Sequence, residues 1–342
     1  MNGRDSTGPR GNTGPRDSAT PQGSAAPQVT AVVPTVGASP YLAACLDALR
    51  SDGGDAVQIV VVAQGRGRRT PSPHPLAAKA DLWLEVAGNL GFTGGTNAGI
   101  QATATGGVAY RGTPYVATVN DDAVVHPGWT AALIDALAAD PGAAAAQGIN
   151  LAGVPRTATA AGGPRTVDGW GLTWNRWWQA VQLGHGEAAE AAPTAAREVF
   201  GVSATAAIYR RQALEQVAGA DGAVFDPRLV SWYEDADLAV RLRRAGWRAL
   251  SVPAARADHA GGATAGRRPR AYGSLLYGNR WLVAAALLGR RFPLAVPRLL
   301  ARDLADLAGA PRRLPNVAGG WLRAASRLPG WLHCGPALDS DL

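Results

Sequence analysis

Apolar residues in the first third of the chain come in short unbroken runs separated by polar or glycine-rich connections. Residues 29–34 (VTAVVP), 57–62 (VQIVVV), 82–86 (LWLEV) and 113–120 (TPYVATVN) are such runs. A run of four to eight apolar or β-branched positions between turn signals predicts a strand, and continuous apolarity predicts one buried on both faces. Between the runs the period changes. Leu42, Cys45, Leu46 and Leu49 recur at helical spacing behind Ser39-Pro40, which reads as an N-cap followed by proline at the first helical position. Residues 129–137 place Leu133 and Leu137 on one helix face. Strands alternating with helices predict an α/β chain with a mostly parallel, Rossmann-like sheet flanked by helices. Right-handed crossovers then put the carboxyl ends of the strands on one rim, where ligands bind in open sheets.

Residues 88–99 (GNLGFTGGTNAG) interrupt the pattern. Five glycines predict a loop that turns sharply and approaches a ligand closely, followed by a short helix to about residue 104. The spacing is neither a P-loop nor GxGxxG, and a plain connecting loop is the alternative. Residues 151–197 lose periodicity and hold Trp170, Trp174, Trp177 and Trp178, which read equally as a core plug or as a platform for a sugar ring. Strand character returns at 200–209. Residues 231–244 (SWYEDADLAVRLRR) form a helix with Glu234, Asp235 and Asp237 at its positive end, and Asp237 can pair with Arg241 one turn on. Gly246 ends that helix, 247–252 is a further strand closed by Pro253, and His259 follows in a glycine-rich loop. Helices are expected at 272–288, 293–307 and 315–328, with Arg298, Arg302 and Trp321 on them and Trp331 and Leu332 just beyond the last. Their apolar and basic faces suit a membrane interface or, equally, packing on the sheet or a dimer partner.

Composition narrows this picture. Residues 1–28 are Gly, Pro, Ser, Thr and Arg with almost no apolar side chains, and are expected to be a disordered tail. The remainder divides into an expected α/β domain at 29–266 and a helical extension at 267–342. A hydrophobic content of 47% supports a real core over that length. The net charge of +7 is carried by arginine, Lys79 being the sole lysine, which fits an arginine-rich proteome before it fits a polyanion partner; no nucleic-acid partner is expected. Two distant cysteines, Cys45 and Cys334, give no disulfide framework and no metal spacing, so a reducing compartment is expected. No N-terminal apolar segment marks a secretory signal, and no run of about 18 apolar residues is long enough to span a bilayer.

Chemistry concentrates at Asn120-Asp121-Asp122, immediately after the 113–120 strand. Carboxylates are costly inside a buried strand but suit its carboxyl end, where hard oxygens can hold Mg²⁺ or Mn²⁺ with a substrate's phosphates. The plain alternative is a solvated turn capping the next helix. Asp235 reads either as an N-cap or as a general base held at a helix mouth. His259 reads either as a structural histidine or as a ligand facing a carboxylate-bound ion.

Five stretches in order carry a family resemblance: VVPTVGASPYLAACLDAL at 32–49, NLGFTGGTNAGI at 89–100, NDDAVVHPGW at 120–129, YEDADLAVRLRRAGW at 233–247, and His259 with Gly262 and Thr264. Together, over about 29–279, they resemble the inverting glycosyltransferases of family 2 with a GT-A fold, most closely rhamnosyl- and galactofuranosyl-transferase-like members. The resemblance implies transfer of a sugar from a nucleotide-sugar to a hydroxyl of a cell-envelope glycan or lipid-linked saccharide, with inversion and with Mn²⁺ or Mg²⁺. It makes Asp122 the main metal ligand, with Asn120 and His259 completing the shell, and Asp235 the base. It assigns Pro34, Thr35, Gln64, Asn89, Gly94, Gly95, Asn97 and Asp121 to the donor, and Glu234, Trp232 and Trp174 to the acceptor. It implies a cytoplasmic protein, with contact to the inner face of the plasma membrane as one option and the oligomeric state open. One position departs from the pattern. The acid that reads the nucleotide base after the second strand is replaced by Ala63-Gln64. That departure keeps a second reading alive, a non-catalytic member that binds sugar-nucleotide or glycan.

Overall fold

A computed structural model describes residues 26–37, 39–65, 74–104, 112–153, 165–261, 269–331 and 338. Expectations for the tail before residue 26, for Gly262 and Thr264, for Leu332 and Cys334, and for a boundary at 266/267 lie outside the described residues.

Strand β1 (Val29–Thr35), helix α1 (Leu42–Gly53), β2 (Val57–Gln64), β3 (Leu82–Val86), α2 (Gly91–Ala104) and β4 (Tyr115–Val119) form the first half. β5 (Ala123–Val125), α3 (Trp129–Ala139), β6 (Ala143–Ala152), β7 (Val167–Gly169), β8 (Leu172–Trp174), β9 (Ala180–Gln182) and β10 (Arg197–Val199) follow. β11 (Ala206–Arg210), α4 (Arg211–Val217), α5 (Glu234–Arg244), β12 (Arg248–His259), α6 (Pro269–Leu288), α7 (Phe292–Gly309) and α8 (Leu314–Arg327) complete the chain. The main sheet runs β10-β12-β6-β11-β4-β1-β2-β3. β3, β2, β1 and β4 are mutually parallel, with Val29 opposite both Val57 and Tyr115. β11 is antiparallel to β4 and β6, and β12 is parallel to β6. Every position of β1 is buried, because helices cover both faces. Val29, Ala31 and Val33 pack with α1 and α3, while Val32, Val60 and Val62 pack with α2, α4 and α5. α6 and α7 make a further core with Leu172, Trp174 and Phe200.

Three local expectations are overturned. The glycine-rich segment is helix α2 rather than a loop. Its glycines serve packing: a Cβ on Gly99 would lie 2.4 Å from Val32 Cγ1, and one on Gly95 2.5 Å from Gln64 Nε2. Glycine has low helix propensity, but close seating of the helix on β1 and β2 overrides it. Pro253 does not close a strand either. β12 runs through it to His259, and the register shifts between Ser251 and Arg256. A bulge is where a strand tolerates proline, since no ladder donor is needed there. His259 therefore ends a strand instead of sitting in a loop. Asn120-Asp121-Asp122 lies just beyond the carboxyl end of β4, as expected, in the turn to β5, and the alternative of a helix cap falls.

Candidate active site

The β4–β5 turn is tied down by its backbone. Asn120 N–H donates to Thr205 O (2.8 Å), Ala123 N–H to Asn120 O (3.0 Å), and Ala260 N–H to Asp122 O (3.0 Å). β5 pairs with β12, with Ala123 opposite His259, so the turn and the end of β12 are held side by side. As a result His259 Nε2 lies 3.3 Å from Asp122 Oδ1 and 3.4 Å from the Asn120 amide. On the other side of the ring, His259 Nδ1 lies 2.9 Å from Asp168 Oδ2. Burial works against a charged imidazole, but hydrogen bonds to Asp122 and Asp168, and their charge, outweigh it and hold His259 up to about 9.

Asp121 points toward β1. Its Oδ2 accepts from Thr35 Oγ1 at 2.6 Å, and its carbonyl accepts from Ser39 Oγ at 2.9 Å. Burial, opposed by the Thr35 bond and reinforced by Asp122, raises its carboxyl to about 6. Gln64 is engaged with backbone: Oε1 accepts from Leu90 N–H (2.8 Å) and Nε2 donates to Gly91 O (3.1 Å). Asn89 Oδ1 accepts from Gly91 N–H (2.9 Å). Gln64 and Asn89 thus shape the start of α2 while facing the same space as Asp121.

Asp235 is reached through an unusual backbone. Val230, Trp232 and Tyr233 take φ values of 66°, 72° and 68°, and the third of these leads directly into α5. Left-handed non-glycine residues cost roughly 1–3 kcal/mol each and persist only where surrounding structure enforces them. Part of that enforcement comes from α2. Thr93 N–H donates to Val230 O (3.1 Å), Phe92 N–H donates to Ser231 Oγ (3.1 Å), and a Cβ on Gly91 would lie 2.4 Å from Val230 O. The loop presents Trp232, 45% exposed, beside the carboxyls of Glu234 and Asp235. Burial pushes the Asp235 carboxyl above the ordinary range, against hydrogen bonds from the Ala236 and Ala204 N–H groups and the Ser203 hydroxyl. Burial and then the Asp235 charge push Glu234 up to about 8.

These parts meet. One cavity of about 570 Å³ is lined by Pro34, Thr35, Gln64 and Asn89, by Asn120, Asp121, Asp122 and His259, and by Trp232, Glu234 and Asp235. Asp122, His259 and Asp235, distant in sequence, open onto the same space. Gly94, Gly95, Asn97 and Trp174 do not line it. Asn97 is buried and bonds the 224–225 backbone through both ends of its amide, with Nδ2 donating to Phe225 O at 2.7 Å. Trp174, 8% exposed, packs edge-on against Phe200 at 5.9 Å, which makes it a core plug. Three wall residues have no sequence signal: Asp168, His185 and Ser203. Asp168 stands alone in an aperiodic tryptophan-rich stretch, and only its place beneath His259 reveals it.

The donor set suits a hard divalent ion. Among the described residues no three His, Cys, Asp or Glu side chains form a ready-made metal cage. Mg²⁺ and Mn²⁺ do not need one, since one or two protein ligands plus substrate phosphates and water complete their shells. Asp122 Oδ1 and His259 Nε2 can supply those ligands, and the Asp168 carboxylate behind Nδ1 orients the ring as carboxylates commonly do behind metal-binding histidines.

The sequence profile described as Glycosyltransferase like family 2 matches residues 27–281. The chain belongs to this family. Its sheet and flanking helices are those of a GT-A glycosyltransferase. No curated protein matches the sequence. Solved structures with a similar fold include GalNAc-T7 with UDP, GalNAc and Mn²⁺ (13% identity, TM-score 0.49), of whose chain this glycosyltransferase spans 43% while 68% of its own length is covered. The mannosyltransferase PcManGT from Pyrobaculum calidifontis, in complex with GDP-Man and Mn²⁺, has 16% identity and a TM-score of 0.48, with 89% of this chain and 88% of that one covered. S. aureus TarS residues 1–349 give 15% identity and a TM-score of 0.43, with 89% and 92% covered.

Proposed function

We propose that this glycosyltransferase moves a sugar from a nucleoside-diphosphate sugar to an acceptor hydroxyl by a single in-line displacement, inverting the anomeric carbon. The observation that carries the reading is the convergence of Asp122, His259 and Asp235 on one cavity. In this reading Thr35, Asp121, Gln64 and Asn89 hold the donor, and Trp232 and Glu234 face the acceptor. A divalent ion, Mn²⁺ or Mg²⁺, would be held by Asp122 and His259 with Asn120 beside them. When bound, it supplies charge neutralisation of the departing diphosphate.

Asp235 is the base. Four donors favour its ionised form: the Ala236 N–H at 2.8 Å, the Ala204 N–H, the Ser203 hydroxyl and its own N–H. Glu234 lies next to it but is held protonated by burial and by the Asp235 charge. Burial raises both carboxyls, but the hydrogen-bond donors converge on Asp235, so in this reading Asp235 takes the proton and Glu234 donates a hydrogen bond. Asp235 removes the acceptor proton as the hydroxyl attacks, and the strained loop holds the acceptor between Trp232 and the carboxylate.

The acceptor we propose is a cell-envelope glycan or lipid-linked saccharide, met at the inner face of the plasma membrane. Residues 269–331 carry ten arginines against two aspartates, a surplus of eight, whereas the whole chain's surplus is seven. The positive charge therefore resides in the C-terminal helices, which also expose Leu294, Leu304, Leu314 and Leu322. Such a surface suits anionic headgroups. Among the described residues no helix is long and apolar enough to cross a membrane.

Thermal shift with UDP-, GDP- and dTDP-sugars, each with and without Mn²⁺, tests the donor half, since a bound ligand raises the melting temperature through RT ln(1 + [L]/Kd). At least one donor is expected to stabilise the protein in Mn²⁺ and then to turn over. A full panel without any shift or turnover would refute the transferase reading. Co-sedimentation with phosphatidylglycerol vesicles but not with phosphatidylcholine ones is expected for the membrane contact, and equal pelleting with both would remove it.

A further inference from the structure

We propose that Asn279, on α6 outside the cavity, is a positioning residue that holds the acceptor loop and, through it, Asp235. The proposal rests on Asp235 being the base. Leu229, Ser231 and Trp232 turn their carbonyls toward one point, and the Nδ2 of Asn279 occupies it, its two N–H groups shared among the three oxygens at 2.9, 3.0 and 2.9 Å. These residues bracket the left-handed positions Val230 and Trp232, and Tyr233 follows directly. Asn279 is completely buried. Its Oδ1 accepts from Arg323 Nε on α8 at 3.0 Å, which fixes which way the amide faces. Arg323 also donates to the carbonyl of Arg228, at the start of the same loop.

Left-handed backbone at three non-glycine positions has no local reason to persist. α2 holds the loop from one side, through Phe92 and Thr93. Asn279 and Arg323 hold it from the other. Trp232, Glu234 and Asp235 therefore keep their aim at the cavity only while the C-terminal helices stay seated. The helices take part in acceptor chemistry without touching the reacting atoms, because the amide that fixes the loop belongs to them.

The test compares Asn279→Ala and Asn279→Asp with the wild-type full-length chain. Asn279→Asp keeps the size but turns a carboxylate toward three carbonyls. Arg323→Ala, on the partly exposed partner, is the milder variant, and Ala325→Ser, at an exposed position of the same helix, is the control. Hydrogen exchange read by mass spectrometry is expected to quicken tenfold or more across 229–236 in both Asn279 variants, while 29–35 and 115–119 exchange as in wild type. With the most active nucleotide-sugar of the panel, kcat is expected to fall tenfold or more while KM for the donor stays within twofold. Arg323→Ala should give the same changes at smaller size, and Ala325→Ser none. Wild-type exchange at 229–236 together with wild-type kcat overturns the proposal. So does faster exchange throughout the sheet with kcat and donor binding lost in step, which would make Asn279 a residue of the general fold. Asp235→Asn, assayed alongside, separates the two claims. If it turns over like wild type, the base reading fails and with it the effect on chemistry. If it is inactive while Asn279→Ala is unaffected, only the positioning role falls.

Discussion

Oδ2 of Asp168 lies 2.9 Å from Nδ1 of His259, across 91 residues of sequence, and leaves Nε2 as the nitrogen that faces Asp122. A carboxylate in that place fixes both the tautomer and the orientation of a metal-binding imidazole, and its loss commonly reduces metal affinity by roughly 10–100-fold. Asp168→Asn is therefore expected to weaken Mn²⁺ binding by that factor in calorimetry with a nucleoside diphosphate present. Fold and melting temperature in EDTA should stay close to wild type. Unchanged Mn²⁺ affinity in Asp168→Asn would remove Asp168 from the site.

Asp235→Asn keeps shape and most hydrogen bonding but cannot accept a proton. A positioned general base contributes typically 10²–10⁴-fold, so kcat should fall by about that much while donor KM barely moves. Because burial raises the Asp235 carboxyl, the acid limb of kcat/KM in the wild type should lie above the ordinary carboxylate range. A flat pH–rate profile between pH 4 and 7, or a variant of near wild-type turnover, would contradict the assignment.

Much of this site was legible in the sequence because its residues lie beside strong punctuation. Asp121 and Asp122 follow a buried apolar run, and Asp235 opens a helix rich in acids. Open-sheet rules send such residues to one rim. His259 was legible as a residue but not as the end of a strand, since Pro253 reads as a stop and only a bulge lets β12 continue. Gly94, Gly95, Gly99 and Asn97 misled for the opposite reason. Glycine density reads as loop, whereas here small size lets α2 sit against β1 and β2. Asp168 and Asn279 were illegible, because their significance lies wholly in partners 91 residues ahead and about 50 behind.

The glycine argument can be measured. Gly99→Ala would place a methyl 2.4 Å from Val32 Cγ1 and 3.0 Å from Val62 Cγ2, both side chains fully buried. Overpacking of this kind typically costs 1–3 kcal/mol. Helix propensity favours alanine by about 1 kcal/mol, so packing should win only in part. A net loss on the order of 1 kcal/mol in urea unfolding is expected. Stabilisation by Gly99→Ala would show that α2 has room to move off the sheet.

Stability should fall as pH rises from acid to mildly alkaline. Glu234 is raised in the folded protein from an ordinary 4.5 to about 8, so between those values the folded state binds a proton that the unfolded state has released. By linkage, stability then drops with rising pH across that window. His259, raised from 6.5 to about 9, acts with the same sign, its contribution being complete below 6.5 and lost as pH passes through 9. Glu234→Gln should therefore flatten the decline in melting temperature between pH 5 and 8, leaving the shares due to Asp121, Asp235 and His259. A melting temperature that climbs over that range in the wild type would reverse the sign and refute the burial of Glu234.

Asp303 joins the three C-terminal helices. It is completely buried on α7, pairs with Arg280 of α6, and accepts from the indole N–H groups of Trp281 (2.9 Å) and Trp321 on α8 (2.8 Å). Arg280 is itself 2% exposed, so Asp303→Ala would leave a buried guanidinium and two indole donors without their acceptor. Breaking one side of a buried pair typically costs about 3–5 kcal/mol, far more than the pair contributes in net terms. Asp303→Asn retains an acceptor for the indoles and should lose less than Asp303→Ala. Both changes are expected to reach the cavity, because α6 carries Asn279, whose amide holds the loop in front of Asp235. Chemical denaturation of the two variants, with donor turnover measured on the same samples, gives the order wild type, Asp303→Asn, Asp303→Ala for both quantities. Equal stability of all three would mean that the helices are held together by their apolar faces alone.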